Sequence, residues 1–419
     1  MLLKLARQSL WSRRGTAWLT LFSLIISLSL LLGIDHLRLE AKRSFTSTVA
    51  GTDLIVGARS GQLNLLLYTV FRIGNATNNI SYAHYEQISR HPQVRWAIPL
   101  ALGDSHRGFR VLGTNTDYFR YFRYGEQQPL RLSSGREFAS VYETVLGADV
   151  AKKLGYQLGQ DIVLSHGVGK VSFSQHKDQP FTVVGILAPT GTPVDQSVHV
   201  SLTGIEAIHQ GWQNGAPAMR KAKQTLSEAE LAALQPSLLT GALLGLKSKV
   251  ATFAVQRQIN EFKAEPLTAI LPGAALAELW QMLVVVENLL LVITALVLLA
   301  ALIGLTTTLL AAQRERAREL AILRAIGARP WQLFLLIELE VLILTLCSIV
   351  GAFLLLTGSL AALQPWLSSE YGLVISLFAW HPHTAAGLGI VAGLALLLGA
   401  VPAIQAYRQS LNQGLQVRL

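Results

Sequence analysis

A single cysteine, Cys347, excludes an internal disulfide and any thiolate cluster within this chain of 419 residues. It lies in an apolar run, where a cysteine is expected as a small buried apolar side chain. Charge is scarce, at 14% of residues against 51% hydrophobic, the composition of a membrane protein. Nucleotide-binding and hydrolytic signatures are also missing. No G-x-x-x-x-G-K-[ST] occurs; the nearest stretch, G-A-L-L-G-L-K-S from Gly241, has the wrong spacing. There is no H-E-x-x-H, G-x-S-x-G or paired-cysteine zinc pattern. The chain is therefore expected to hold no cofactor and to catalyse no reaction.

Acidic residues are outnumbered, and the net charge of +10 raises the question of a nucleic-acid partner. The distribution answers it. Residues 1–15 carry Lys4, Arg7, Arg13 and Arg14 with no acid, residues 313–332 carry five arginines against two glutamates, and residues 404–419 add two arginines. Almost all of the excess thus sits in three short segments beside apolar runs. That is the positive-inside bias of cytoplasmic loops, not a surface for polyanions.

The apolar runs set the organisation. Residues 1–15 read as a basic interfacial helix, and 16–34, without a charge, as a first transmembrane helix. No small-x-small cleavage site follows, so the run is expected to stay as an anchor. Residues 283–312 form a second span; at thirty residues it would be about 45 Å long, against a hydrocarbon core of about 30 Å, and its excess is expected to project as a stalk holding Glu287. A third span covers 333–359, a short outer loop 360–383, a fourth span 384–404 and a tail 405–419. Residues 35–282 differ: charges are balanced and no run reaches spanning length. Helical continuation is expected to Val49, then strands at 53–56, 94–98, 108–113, 181–187, 198–202, 242–246 and 267–271, with helices at 82–90 and 250–262. A strand, short helix and glycine turn are read in 141–164, and a polar connection in 211–236. The expected fold class is an α-helical membrane protein with four transmembrane helices and an α+β periplasmic domain inserted between spans 1 and 2.

The stretch between spans two and three, Q-R-E-R-A-R-E-L-A-I-L-R-A-I-G-A-R-P-W from Gln313 to Trp331, stands out. Helix formers fill it to Ile326, Gly327 supplies a stop, and Pro330 follows. Its apolar residues fall on every side of a helix, which calls for a protein cover on the cytoplasmic face. The bland alternative is a basic loop that only fixes topology. Together with L-L-I-E at 335–338, the stretch closely resembles the signature loop of MacB/FtsX/LolC-type ABC transporter permeases. The four-span layout, the G-x-D-L-I-V opening at Gly51 and the V-V-G-I-L strand at Val183 extend the resemblance along the chain. It implies that this loop is the coupling helix, with Arg316, Arg318, Glu319, Leu323, Arg324, Ala325, Gly327 and Ala328 as its ATPase-coupling residues. It also implies a LolD/MacB-like ABC ATPase partner holding ATP and Mg, and a second permease subunit, either an identical copy or a related chain. The membrane and a periplasmic or outer-membrane partner are further expectations, and nucleic acid is not one.

Other residues carry weaker signals. Glu338 and Glu340, near the start of span three, face different sides; they read either as headgroup or protein contacts or as an ion relay. Glu338 matches the glutamate usual in the resembled family, and Glu340 is additional. Gly389 and Gly393 form a G-x-x-x-G that suggests a helix-packing face. All ten histidines lie in the expected outer regions, and the default for each is a satisfied surface or core residue; His381 and His383 are the candidate metal-ligand pair. The expected role is that of a permease subunit coupling a partner's ATP hydrolysis to export or extraction of a lipoprotein, peptide or small hydrophobic compound. The alternatives are mechanotransmission that regulates a periplasmic envelope enzyme, and a metal-linked transport role.

Overall fold

The computed structural model describes residues 2–167, 178–210, 212–213, 216–217, 230–231, 234–315, 322–371 and 375–412. The chain divides into two compact units. A sheet unit comprises Ala41–Leu283 with Pro365–Val374, and a helical unit comprises Met1–Glu40, Val284–Gln364 and Ile375–Leu419. Most of the expected 211–236 connection lies outside the described residues.

Among the described residues of the sheet unit, eleven strands form one mixed sheet. They are β1 (Leu54–Ala58), β2 (Val94–His106), β3 (Phe109–Thr114), β4 (Leu132–Gly135), β5 (Glu143–Leu146), β6 (Asp161–Ile162), β7 (Ser165–His166), β8 (Phe181–Leu187), β9 (Ser197–Ser201), β10 (Gly241–Leu246) and β11 (Leu267–Ile270). The main path runs β11-β1-β10-β2-β3-β9-β5-β8-β4, with β7 paired to β2 and β6 to β8. The β3–β9 and β5–β8 pairs are parallel; the other pairs are antiparallel. Side-chain alternation sends successive residues of one strand to opposite faces. In β1, Ile55 joins a cluster with Ile98, Leu100 and Leu243, while Leu54 and Val56 join one with Ala97, Ala242 and Leu244. A third cluster gathers Val111, Leu146, Phe181, Val183, Val198 and Val200.

β2 is longer than the expected 94–98. It continues through Pro99, opposite Ala242, and past an irregularity in its pairing with β3 between Leu102 and Ser105. That extension carries Asp104 and His106 into the sheet.

The helices are α1 (Leu2–Ser12), α2 (Arg14–Thr48), α3 (Gln62–Thr69), α4 (Tyr82–Ser89), α5 (Asp117–Tyr121), α6 (Ala148–Leu154), α7 (Leu202–His209), α8 (Thr252–Asn260), α9 (Pro272–Glu315), α10 (Pro330–Tyr371) and α11 (Pro382–Asn412). Four of them, α2, α9, α10 and α11, are long and apolar enough to cross a membrane, with mean hydropathy between 2.2 and 2.9 over their most apolar windows. With the sheet unit lying in sequence between the first two, the fold class is the expected one.

The helices run past the ends of the expected spans. α9 begins at Pro272 and has 44 residues, about 66 Å of helix, so the expected stalk is longer than the apolar run alone indicated. α10 continues through Pro365 to Tyr371, so the first half of the expected outer segment 360–383 is helical. Leu360–Gln364 is built from good helix formers, and the proline lacks a single backbone donor. α11 likewise runs past the expected end of span four, through Pro402 to Asn412. Cys347 is exposed, not buried: it sits on an outward face of α10, where the surroundings of a span are as apolar as an interior.

Candidate functional site

The loop between α9 and α10 ends in a well-defined cap. Residues 322–325 are helical. Ala328 N–H donates to the Leu323 carbonyl at 3.0 Å and Gly327 N–H donates to the Arg324 carbonyl at 3.0 Å. Gly327 takes φ +99°. These two bonds around a glycine with positive φ make a Schellman motif. The chain then re-enters a helix at Pro330, where Arg329 N–H donates to Gln332 Oε1 at 2.8 Å. Ile322, Ile326 and Trp331 are more than half exposed, with Arg329 exposed beside them, and Leu323, Arg324 and Ala328 are half-buried. Ala325 is exposed. The turn therefore presents apolar side chains beside arginines on a capped helix end. Arg316, Arg318 and Glu319 lie outside the described residues.

The two glutamates of α10 do face different sides. Glu340 is buried and pairs with Arg13, whose guanidinium lies 3.0 Å from Oε2; the Ser9 hydroxyl donates to its other oxygen. Glu340 thus fastens the α1–α2 junction to α10, the protein-contact reading of an acidic group in a span. Glu338 is half-buried, and its Oε1 has no hydrogen-bond partner among the described residues. Glu287, on α9, pairs with Arg38 of α2 at 2.7 Å.

A Cβ built at Gly389 or Gly393 meets nothing within 4 Å among the described residues, so the G-x-x-x-G makes no close helix contact there. The close approaches are at Gly351, where a Cβ would lie 2.5 Å from Ile25, and at Gly399, where it would lie 2.7 Å from Val341. A membrane helix is apolar on its lipid face and its protein face alike, so the motif alone carries no direction.

The profile of the MacB-like periplasmic core domain matches residues 17–262, more than half of the chain, and that of the FtsX-like permease C-terminal region matches residues 291–411. The chain belongs to the MacB/FtsX-type family of ABC transporter permeases. It is accordingly a multi-pass membrane protein with a periplasmic domain. Among solved structures, the periplasmic region of MacB from Actinobacillus actinomycetemcomitans is 11% identical, with TM-score 0.34, over 55% of this chain and 94% of that one. The extracellular domain of the noncanonic ABC-type transporter YknZ from Gram-positive bacteria is 12% identical, with TM-score 0.31, over 52% and 99%. None of the curated proteins compared with the chain matches it.

The histidines of this permease are grouped differently from the expected His381/His383 pair. Those two rings stack at 5.7 Å with 6° between their planes, so they lie side by side instead of converging on one point. His383 Nε2 meets Asp35 Oδ2 at 2.7 Å. His381 Nε2 meets His36 Nδ1 at 3.2 Å, and His36 Nε2 donates to the Ser376 carbonyl at 2.6 Å. Glu40 completes a group with His36 and His381 whose ligand atoms all lie within 4.8 Å of one another. A second such group, Asp104 with His166 and His209, lies in the sheet unit. The sequence held one signal for these groups, the confinement of histidine to the outer regions; the partners are far apart in the chain.

Proposed function

We propose that this chain is the membrane subunit of an ABC transporter whose turn at Gln313–Trp331 docks on a separate, LolD/MacB-like ATPase. The observation that carries the reading is the capped turn at 322–328, with Ile322, Ile326 and Trp331 exposed beside Arg324 and Arg329. Exposed apolar side chains on a capped turn, beside two arginines, suit the groove of a protein partner better than water. The basic segments beside the spans support an inner-membrane topology with both termini and this turn in the cytoplasm.

In this reading ATP and Mg bind to the partner, not to this chain. Two permease subunits, identical or related, pair, and ATP binding draws their coupling turns together. α2, α9 and α10 each begin in one unit and end in the other, and α2 and α9 are the elements that would pass the movement on. The cargo class is a lipoprotein, peptide or small hydrophobic compound handled on the periplasmic side.

The test is copurification from solubilised native membranes. The wild-type chain should bring down an ABC ATPase, and Leu323→Asp or Arg324→Glu should lose it while inserting normally. Recovery of the ATPase at wild-type level with both variants would remove the docking role from this turn.

A further inference from the structure

We propose that Asp104, His166 and His209 form a binding site for one zinc ion on the periplasmic domain. Three separate elements bring the residues together. Asp104 lies on β2 and His166 on β7, and the two are directly opposed in the antiparallel register, which sets their side chains on the same face. His209 is the last residue of α7. That helix is fixed at its start by Ser201, whose hydroxyl accepts from Gly204 N–H at 2.9 Å, and near its end by the buried Ala207 and Ile208.

The distances match a tetrahedral ion. Asp104 Oδ1 is 3.2 Å from His166 Nδ1 and 3.4 Å from His209 Nε2, and the two nitrogens are 3.2 Å apart. A tetrahedral zinc with bonds of about 2.0–2.1 Å needs ligand atoms about 3.3–3.4 Å from one another. The three atoms thus form the near-equilateral triangle that such an ion requires. Two imidazoles and one carboxylate are a zinc donor set, and a fourth position is left for solvent or another ligand.

A single cation would accept all three lone pairs at once, in place of the N–H donors that the two rings otherwise offer the carboxylate. The surroundings also suit a ligand set. The Asp104 carboxylate is almost wholly buried, whereas the His166 and His209 side chains keep 43% and 29% of their surface, so an ion has a way in. His209 also hydrogen-bonds the backbone of Ile205, one turn back, the kind of outer contact that orients a metal-ligating imidazole.

The proposal is tested on the full-length chain in detergent, purified through a tag without histidine, stripped with chelator and titrated with Zn²⁺ against a chromophoric competitor. His166 is exposed enough for His166→Ala to leave the fold intact, and Asp104→Asn keeps the buried shape. Each variant should bind one zinc fewer per chain than the wild type, or bind that ion roughly 100-fold or more weakly. His36→Ala should leave this ion in place, which separates it from any bound at the His36/Glu40/His381 group. X-ray absorption of the zinc-loaded wild type should report two imidazoles and oxygen ligands near 2.0 Å. Absence of zinc from the wild type above the detergent blank would overturn the site. So would unchanged stoichiometry and affinity in His166→Ala.

Discussion

Lowering the pH from 8 to 5 should destabilise the sheet unit by about 2 kcal/mol through one side chain, His199. Its ring is fully buried on β9 beside Tyr118 and Phe119, and Nδ1 donates to the Val145 carbonyl at 3.2 Å. Burial, with the nearby Arg72 charge adding to it, pushes the imidazole down to about 3, only partly opposed by the Val145 bond. An unfolded histidine titrates near 6.5. The folded value is the lower one, so the unfolded chain takes up the proton first. The stabilisation is complete above pH of about 6.5 and is lost as pH falls towards 3, at about 1.4 kcal/mol per unit. By pH 5 the loss is about 2 kcal/mol, which lowers the melting temperature of a domain this size by roughly 4–8 °C. His106 also titrates with a lowered value, so the informative quantity is a difference. His199→Gln keeps a donor for Val145 and does not titrate. Scanning calorimetry of both proteins at pH 8 and 5 should give the wild type the larger fall by that margin. Parallel falls would show that His199 does not enter the acid response, and the argument from its burial would fail.

Three further outcomes follow from the geometry. Gly147→Ala would set a Cβ 2.4 Å from the backbone oxygens of Val194 and Asp195. Backbone cannot yield as a side chain does, so a loss of about 1–3 kcal/mol is expected, seen as a melting temperature lower by several degrees; a change within one degree would contradict the contact. Glu340→Ala removes the buried partner of Arg13, a change that costs roughly 3–5 kcal/mol in buried pairs. Thermal stability in detergent should drop sharply, and the double variant Arg13→Leu/Glu340→Leu should recover part of it; no difference between single and double variants would count against the pair. Gly327→Ala meets no neighbour within 4 Å, so its effect comes from the backbone alone. At φ +99° an L-residue costs about 1–2 kcal/mol, and ATPase affinity should weaken by roughly 5–30-fold, whereas wild-type affinity would show that docking does not need the cap.

The elements written in local pattern were legible. Four spans follow from apolar runs, and the stop at Gly327 follows from a glycine placed after helix formers and before Pro330. The strand at 181–187 follows from its apolar β-run, and its burial alternates between buried and half-buried residues. What local pattern does not encode was missed. Apolarity cannot separate lipid from protein neighbours, so the sequence does not show that Cys347 is exposed or that Gly389 and Gly393 meet nothing within 4 Å among the described residues. Helix ends beyond the apolar core carry no hydropathy signal, which hid the stretch Pro272–Met282 and the continuation past Pro365. Register was hidden too. Asp104 and His166 are 62 residues apart, and only the β2–β7 pairing makes them neighbours.

The most direct test of the account places a photoreactive amino acid at position 326 of the full-length chain in its native membranes. Ile326 is 75% exposed and lies within the capped turn. Irradiation followed by mass spectrometry of the adduct should identify an ABC ATPase subunit. Adducts with lipid or unrelated proteins alone, from a chain that is inserted and stable, would contradict the coupling role assigned to this loop.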